Sequence, residues 1–237
     1  MHIVVCVKQV PDPEAAFSMY KVDEEAKRVV PVPGLPMVMS PFDEQAVEAA
    51  LRIREQHAVT KITILSLGPE SARNTIKHGL AMGADQGVLL CDPAFESADS
   101  YVTARALAAA IGKIGECHLV LAGRQAADSD AGIVGAGIAE LLGFSIITFA
   151  RDVQLSDTTL QVERVVDDGS EIVEAALPAV VTVSNELGVP RTPSLRETMR
   201  AARKPIACWQ AGDLGLAAEN LRPRSRVERV FAPRKEN

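Results

Sequence analysis

The chain has 237 residues, 47% hydrophobic and 24% charged, enough to bury one substantial core. Its formal charge of −6 argues against nucleic acid as the main partner, and no apolar run is long enough for insertion into a membrane. With 4% aromatics, Val, Ile, Leu and Ala must fill the core, a composition that suits strands sandwiched between helices.

The opening His2-Ile3-Val4-Val5-Cys6-Val7 is apolar and β-branched, so residues 2–8 are predicted as a buried strand, ended by Val10-Pro11-Asp12-Pro13. A strand placed there leaves no room for a targeting peptide, and the expected location is cytoplasmic. Residues 14–39, with prolines at 31, 33 and 36, are expected to be irregular with short edge strands. Asp43 is placed to cap a helix running to about His57, with Ala46, Ala49, Ala50 and Ile53 on its apolar face. A strand from Lys61 to Leu67 follows, then a helix near 70–80 that Gly83-Ala84 ends. Gln86 to Cys91 reads as a strand, 99–113 as an Ala-rich helix, His118 to Ala122 as a strand, 123–130 as a loop and 131–142 as a helix. Strand and helix thus alternate through four rounds, which requires a parallel sheet because parallel neighbours need crossover connections. Residues 145–154, 158–166 and 170–183 then read as strands, with turns at Ser156-Asp157 and Asp168-Gly169. After Pro190 come a short helix near 194–203 and an irregular, Arg- and Pro-rich tail.

The fold class expected is α/β, a three-layer Rossmann-like parallel sheet with added antiparallel strands and an extended C-terminal arm. Residues 1–189 are assigned to a nucleotide-binding α/β domain and 190–237 to a recognition loop and a partner-embracing arm. Charge supports that division. From Arg191 onward there are 11 basic and 5 acidic residues, whereas the preceding 190 hold 14 and 26. A basic tail on an acidic body reads either as a solvated terminus or as a docking arm.

Much catalytic chemistry is missing. The four cysteines, Cys6, Cys91, Cys117 and Cys208, form no Cys-x-x-Cys pair and fit a reduced protein without disulfides. His2, His57, His78 and His118 show no metal-ligand spacing, so no metal site is expected. There is no nucleophile elbow and no Gly-x-x-x-x-Gly-Lys-Ser/Thr loop. The chain alone does not read as an enzyme.

Binding chemistry is present. The loop Gly123-Arg124-Gln125-Ala126-Ala127-Asp128-Ser129-Asp130 follows a buried strand and leads into Ala131-Gly132-Ile133-Val134 at a glycine-rich helix start. Backbone N–H groups there can hold a phosphate, and Asp128 or Asp130 can accept from ribose hydroxyls. Alternatively, Ser129 and Asp130 merely cap the helix. The loops after Val7 and Leu67 emerge on the same sheet edge, where open α/β sheets bind ligands, so an adenine-nucleotide site is expected.

Several segments resemble electron-transfer flavoprotein β subunits. They are Val-Val-Cys-Val-Lys-Gln-Val-Pro-Asp at 4–12, Ser-Pro-Phe-Asp-Glu-Gln-Ala-Val-Glu at 40–48, Leu-Ala-Met-Gly-Ala-Asp at 80–85 and the 123–130 loop. The most specific is 162–183, with Arg164, Asp167, Asp168, Gly169, Glu171, Val173, Pro178 and Thr182 at the diagnostic places. The resemblance runs from residue 2 to about 215. It implies an α-subunit partner holding a redox FAD at the shared interface, with electrons taken from acyl-CoA or other flavin dehydrogenases and passed to a quinone reductase or similar acceptor. It also implies AMP in this subunit, or a second FAD as in the electron-bifurcating branch. By position, the nucleotide contacts fall on Cys6, Ser40, Pro41, Phe42, Asp43, Leu67 and the loop from Gly123 to Val134. Phe42 would lie near the α-held flavin, or serve as a core residue beside Pro41. Where the family usually carries polar residues after Asp130, this chain has Ala131 to Val134, leaving only backbone donors for a phosphate. AMP is slightly favoured because it needs fewer side-chain contacts than a second dinucleotide.

The segment Pro190-Arg191-Thr192-Pro193-Ser194-Leu195-Arg196 resembles the family's recognition loop, which inserts a leucine into client dehydrogenases. Arg191, Leu195 and Arg196 are the expected partner contacts, and Arg196, Arg200, Arg203 and Lys204 could steer an acidic client. The rival reading makes Leu195 a core contact of the short helix. Two further classes compete with the whole assignment. A universal-stress-like nucleotide module would not explain the strands at 145–183, and an adenylating hydrolase-like protein would need a pyrophosphate-gripping motif that is absent.

Overall fold

A computed structural model describes residues 1–58, 60–156 and 158–231. The elements in chain order are β1 (His2–Val7), β2 (Gln9–Pro11), β3 (Tyr20–Asp23), β4 (Arg28–Pro31), β5 (Met37–Met39), α1 (Pro41–Gln56) and β6 (Lys61–Leu67). Then come α2 (Arg73–Met82), β7 (Gln86–Leu90), α3 (Ser100–Ile114), β8 (Leu119–Gly123), α4 (Val134–Leu142) and β9 (Ser145–Ser156). The chain continues through β10 (Thr159–Val166), β11 (Gly169–Ala176), β12 (Ala179–Val183), α5 (Leu195–Ala201) and β13 (Ile206–Trp209).

The main sheet has nine strands in the order β11-β10-β9-β12-β8-β1-β6-β7-β13. From β12 to β13 every neighbour is parallel. Alternation within β1 shows the layers. Ile3, Val5 and Val7 pack with α1, α2 and α5, while Val4 and Cys6 pack with α3 and α4. Both faces are covered, which is why β1 and β12 read as continuous apolar runs. The expected three-layer α/β architecture is what the chain adopts.

Five details refine or correct the expected elements. The strand expected over 170–183 is two, because the chain leaves the sheet edge at Leu177-Pro178 and β12 enters beside β8, parallel to it. Strand β9 does two jobs, pairing parallel with β12 through its first half and antiparallel with β10 through its second. The antiparallel addition is therefore β9 to β11 only. The tail is not wholly irregular, since β13 adds an edge strand to β7. The edge strands expected in 14–39 form two separate small sheets, β2 with β5 and β3 with β4. The β10–β11 turn is centred on Asp167-Asp168, one residue earlier than expected. Asp157 of the other expected turn, and residues 232–237 of the expected arm, lie outside the described residues.

Candidate functional site

Strands β1, β6 and β8 end at one edge of the sheet, and β1 lies between the other two. The connections leaving the adjacent strands β1 and β8 run to opposite sides, through α1 to β6 and through α4 to β9, which opens a crevice at their carboxyl ends. A cleft of about 1220 Å³ occupies that place. Of the expected nucleotide contacts, Cys6, Asp43, Leu67, Gly123, Arg124, Gln125, Ala126, Ser129, Ala131, Gly132 and Val134 line it. Ser40, Pro41, Phe42, Ala127, Asp128, Asp130 and Ile133 are not among its lining residues.

Asp43 lies in the first turn of α1, which starts with Pro41 where a missing N–H costs nothing. Its carboxylate accepts from the backbone N–H of Lys8 at 2.8 Å and of Gly123 at 3.0 Å, joining the ends of β1 and β8. Gly123 is required by closeness. A Cβ there would lie 2.5 Å from Asp43 Oδ1 and 2.8 Å from the Phe42 carbonyl carbon. Burial pushes the Asp43 carboxyl up to about 7, and the two N–H groups only partly oppose it. Burial, aided by Asp43, likewise drives the Cys6 thiol upward, so Cys6 is a neutral wall residue. Ser40 is fully buried and its hydroxyl has no hydrogen-bond partner among the described residues.

The glycine-rich loop turns through left-handed backbone at Asp130 and Gly132, and α4 begins at Val134, three residues later than expected. Its cap position is Ile133, and no side chain among the described residues caps the helix. Ser129 and Asp130 therefore do not act as caps. The first-turn N–H groups of α4, which have no intrahelical acceptor, start at Val134 and Gly135 in the cleft wall. The acids expected on a ribose are engaged elsewhere. Asp128 pairs with Lys8 at 2.7 Å, and Asp130 accepts from Gln125 Nε2 at 2.9 Å. The acids that line the cleft are Asp43, Glu96 and Asp99.

The opposite wall was not expected. Residues 95–100, Thr103 and Leu107 line it, together with Lys27 of the β3–β4 turn and Pro223, Ser225, Arg226 and Val227 of the tail. Asp99 holds that wall together. One oxygen caps α3 at the Val102 N–H, 2.9 Å away, and the other accepts from the N–H groups of Arg224 and Ser225 at 2.7 and 2.9 Å. The Arg224 guanidinium lies 3.6 Å from the Tyr101 ring centroid. Asp99 was visible in the sequence as a helix start. Its contacts with residues 125 positions away carry no local signal.

Beside the cleft, the Arg124 guanidinium sits 5.3 Å from the Phe42 ring centroid and 5.4 Å from that of Phe149. Phe42 is thus a half-buried partner of Arg124 rather than a core residue. Phe149 has a positive φ of 60°, where β9 bulges between its parallel and antiparallel halves, and its N–H donates to Thr182 Oγ1. Arg164 braces that bend from β10, donating to the Thr148 carbonyl and to Glu171.

The segment after β12 presents an apolar and basic edge. Leu195 is 78% exposed and Met199 64% exposed, and with Arg196, Arg200 and Arg203 they form a shallow hollow of about 340 Å³. Leu195 is therefore not a core contact. Ser194 and Glu197 form a capping box that fixes the start of α5. Two of the expected basic contacts are occupied internally. Arg191 forks onto Glu48, and Lys204 donates to the Leu80 and Ala84 carbonyls near the end of α2.

No helix among the described residues is long and apolar enough to cross a membrane. A sequence model of the electron transfer flavoprotein domain matches residues 32–214. The chain is 38% identical to the caffeyl-CoA reductase-Etf complex subunit CarD of Acetobacterium woodii, over 98% of this chain and 88% of that one. It is 38% identical to the electron transfer flavoprotein subunit beta of Clostridium acetobutylicum, over 93% and 83%. It is 37% identical to protein FixA of Azorhizobium caulinodans, over 98% and 85%. With this extent of match on a cleft-bearing parallel sheet, the chain belongs to the electron transfer flavoprotein β-subunit and FixA family.

Proposed function

We propose that this chain is the β-type subunit of a cytoplasmic, heterodimeric electron-transfer flavoprotein. It works with an α subunit that holds a redox FAD at their interface. The pair takes electrons from flavin dehydrogenases, such as acyl-CoA dehydrogenases, and delivers them to a quinone reductase or a similar acceptor. The chain itself binds and positions but has no catalytic group of its own. The tail beyond β13 is the arm that engages the α subunit, and Leu195 with Arg196 docks the client. The carrying observation is the cleft at the switch point, bounded by the loop from Gly123 to Val134.

That cleft is suited to an adenine nucleotide. The uncapped first turn of α4 offers backbone donors to a phosphate, and Gly123 lets the end of β8 close against Asp43 and Phe42 in the cleft wall. A bound flavin supplies the electron-carrying ring, while this chain's residues supply the walls and the donors. AMP satisfies the donors present, because Ala131 to Val134 offer no polar side chains. A second reading, in which a whole FAD lies in the cleft, is favoured by the volume of about 1220 Å³, above the roughly 300–1,000 Å³ of ordinary ligand sites.

The test is to produce the chain alone and with its α subunit, record visible absorbance, then denature the pair and identify the released nucleotides. Flavin colour only in the pair, with one FAD and one AMP, supports the first reading. Two FAD and no AMP selects the second, and one FAD with no AMP refutes both.

A further inference from the structure

The client-docking edge proposed above needs something to hold it in one place. Leu195 projects into solvent from a segment that follows two loop prolines, and an apolar side chain on a mobile loop would lose most of its docking free energy to ordering. One stripe of α1 supplies the restraint. Gln45, Glu48, Arg52 and Glu55 follow each other at spacings of three and four residues, on one helix face. All four reach the connection between β12 and α5. Gln45 Nε2 donates to the Gly188 carbonyl, and Arg52 Nη1 donates to the Leu187 carbonyl at 3.0 Å. Glu48 accepts from Arg191 Nε at 2.8 Å, from Arg191 Nη2 at 3.0 Å and from the Arg191 backbone N–H at 3.2 Å. Glu55 accepts from Arg191 Nη1 at 2.8 Å.

We infer that Glu48 and Arg191 are positioning residues that lock the segment from Gly188 to Ser194 onto α1, so that Leu195 and Met199 are presented in one fixed geometry. This inference rests on the client-docking reading of Leu195. The chemistry suits the task. A bidentate guanidinium–carboxylate pair defines direction as well as distance, which a lysine cannot do. The Glu48 side chain is only 6% exposed and Arg191 is half-buried, so the carboxylate end of the pair is shielded from competing water. Burial alone would raise the Glu48 carboxyl, but hydrogen bonds from Arg191 and Arg52 outweigh it and hold the group below its ordinary value. Partly buried pairs of this kind add little net stability but can specify one arrangement. The far end of the segment is tied as well. Ala201 is buried in the core, and Lys204 is bonded to carbonyls near the end of α2. Between the two ties, the face of α5 with Leu195, Arg196, Met199 and Arg200 stays outward.

The test uses the flavin-loaded heterodimer and an acyl-CoA dehydrogenase chosen because it reduces the wild-type pair. Arg191→Met keeps the stem and leaves Glu48 its bond from Arg52, and flavin content and melting point are recorded to show that the heterodimer still folds. The expected result is a KM for the dehydrogenase raised about tenfold with kcat retained, together with faster amide exchange over residues 189–196. Arg191→Lys should recover only part of the loss. Leu195→Ala should raise KM by about tenfold or more, and the double variant should be no worse than Leu195→Ala within about twofold, because both changes remove the same presented side chain. The inference is overturned if Leu195→Ala raises KM while Arg191→Met leaves KM and exchange at wild-type values. It is also overturned if the two effects multiply. A Leu195→Ala variant with unchanged KM refutes the docking reading itself, and this inference with it.

Discussion

Asp43 gives the fold a measurable pH signature. Its side chain is buried at 6% exposure, and burial raises its titration to about 7 despite the N–H groups of Lys8 and Gly123. A free aspartate titrates near about 3.9, so folding takes up a proton between about pH 4 and pH 7. The stability this group contributes is fully present below about pH 4 and is lost as pH rises through 7. At about 1.36 kcal/mol per pH unit the whole difference is about 4 kcal/mol, of which about 2 kcal/mol disappears between about pH 5.5 and pH 8. Asp43→Asn cannot titrate. Its amide nitrogen cannot accept either, so it strands one of the two backbone N–H groups at a cost of about 1–3 kcal/mol. Urea unfolding followed by circular dichroism, in steps of about half a pH unit, would compare the two proteins. The wild type should be the more stable at low pH, and its advantage should shrink by about 2 kcal/mol across that window. A constant difference, within about 0.5 kcal/mol, refutes the argument. So does a carboxyl NMR resonance for Asp43 that titrates in the ordinary aspartate range.

Gly123→Ala places a methyl group 2.5 Å from Asp43 Oδ1, and should cost about 1–3 kcal/mol of stability and lower the nucleotide recovered per denatured heterodimer. Truncation after Leu221 keeps β13 and removes the part of the tail that Asp99 holds. It should abolish co-purification with the α subunit while leaving the far-ultraviolet spectrum near native, and unchanged co-purification refutes the arm. Because Leu195 is 78% exposed, Leu195→Ala should cost only about 0.5 kcal/mol of folding stability. A melting point lowered by many degrees would show that the side chain is part of the core.

The sequence alone determined the alternating strands and helices, the parallel sheet, the family, and the loop after β8 as one wall of the cleft. Those features are written in nearest neighbours. Apolar period distinguishes β1 from α1, glycine and proline mark the turns, and a buried parallel strand needs no more than a continuous apolar run. What only the tertiary structure decided joins residues far apart in the chain. Strand β13 was hidden because Ile206 to Trp209 is a short edge strand just after Arg203-Lys204-Pro205, and its pairing with β7 depends on that neighbour. Asp43 looked like a helix cap, and its two bonds across β1 and β8 exist only once those strands lie side by side. Arg191 looked like a free cation for a partner, because nothing near it in sequence shows that Glu48, 143 residues earlier, takes its guanidinium. The pairings of Asp128 with Lys8 and of Asp130 with Gln125 were likewise illegible in the sequence, since they form only in the folded loop. Local chemistry therefore specified the backbone plan. Which charges remained available for ligands was settled by long-range packing, because a buried or paired ion is spent on whichever partner the fold brings within hydrogen-bond reach.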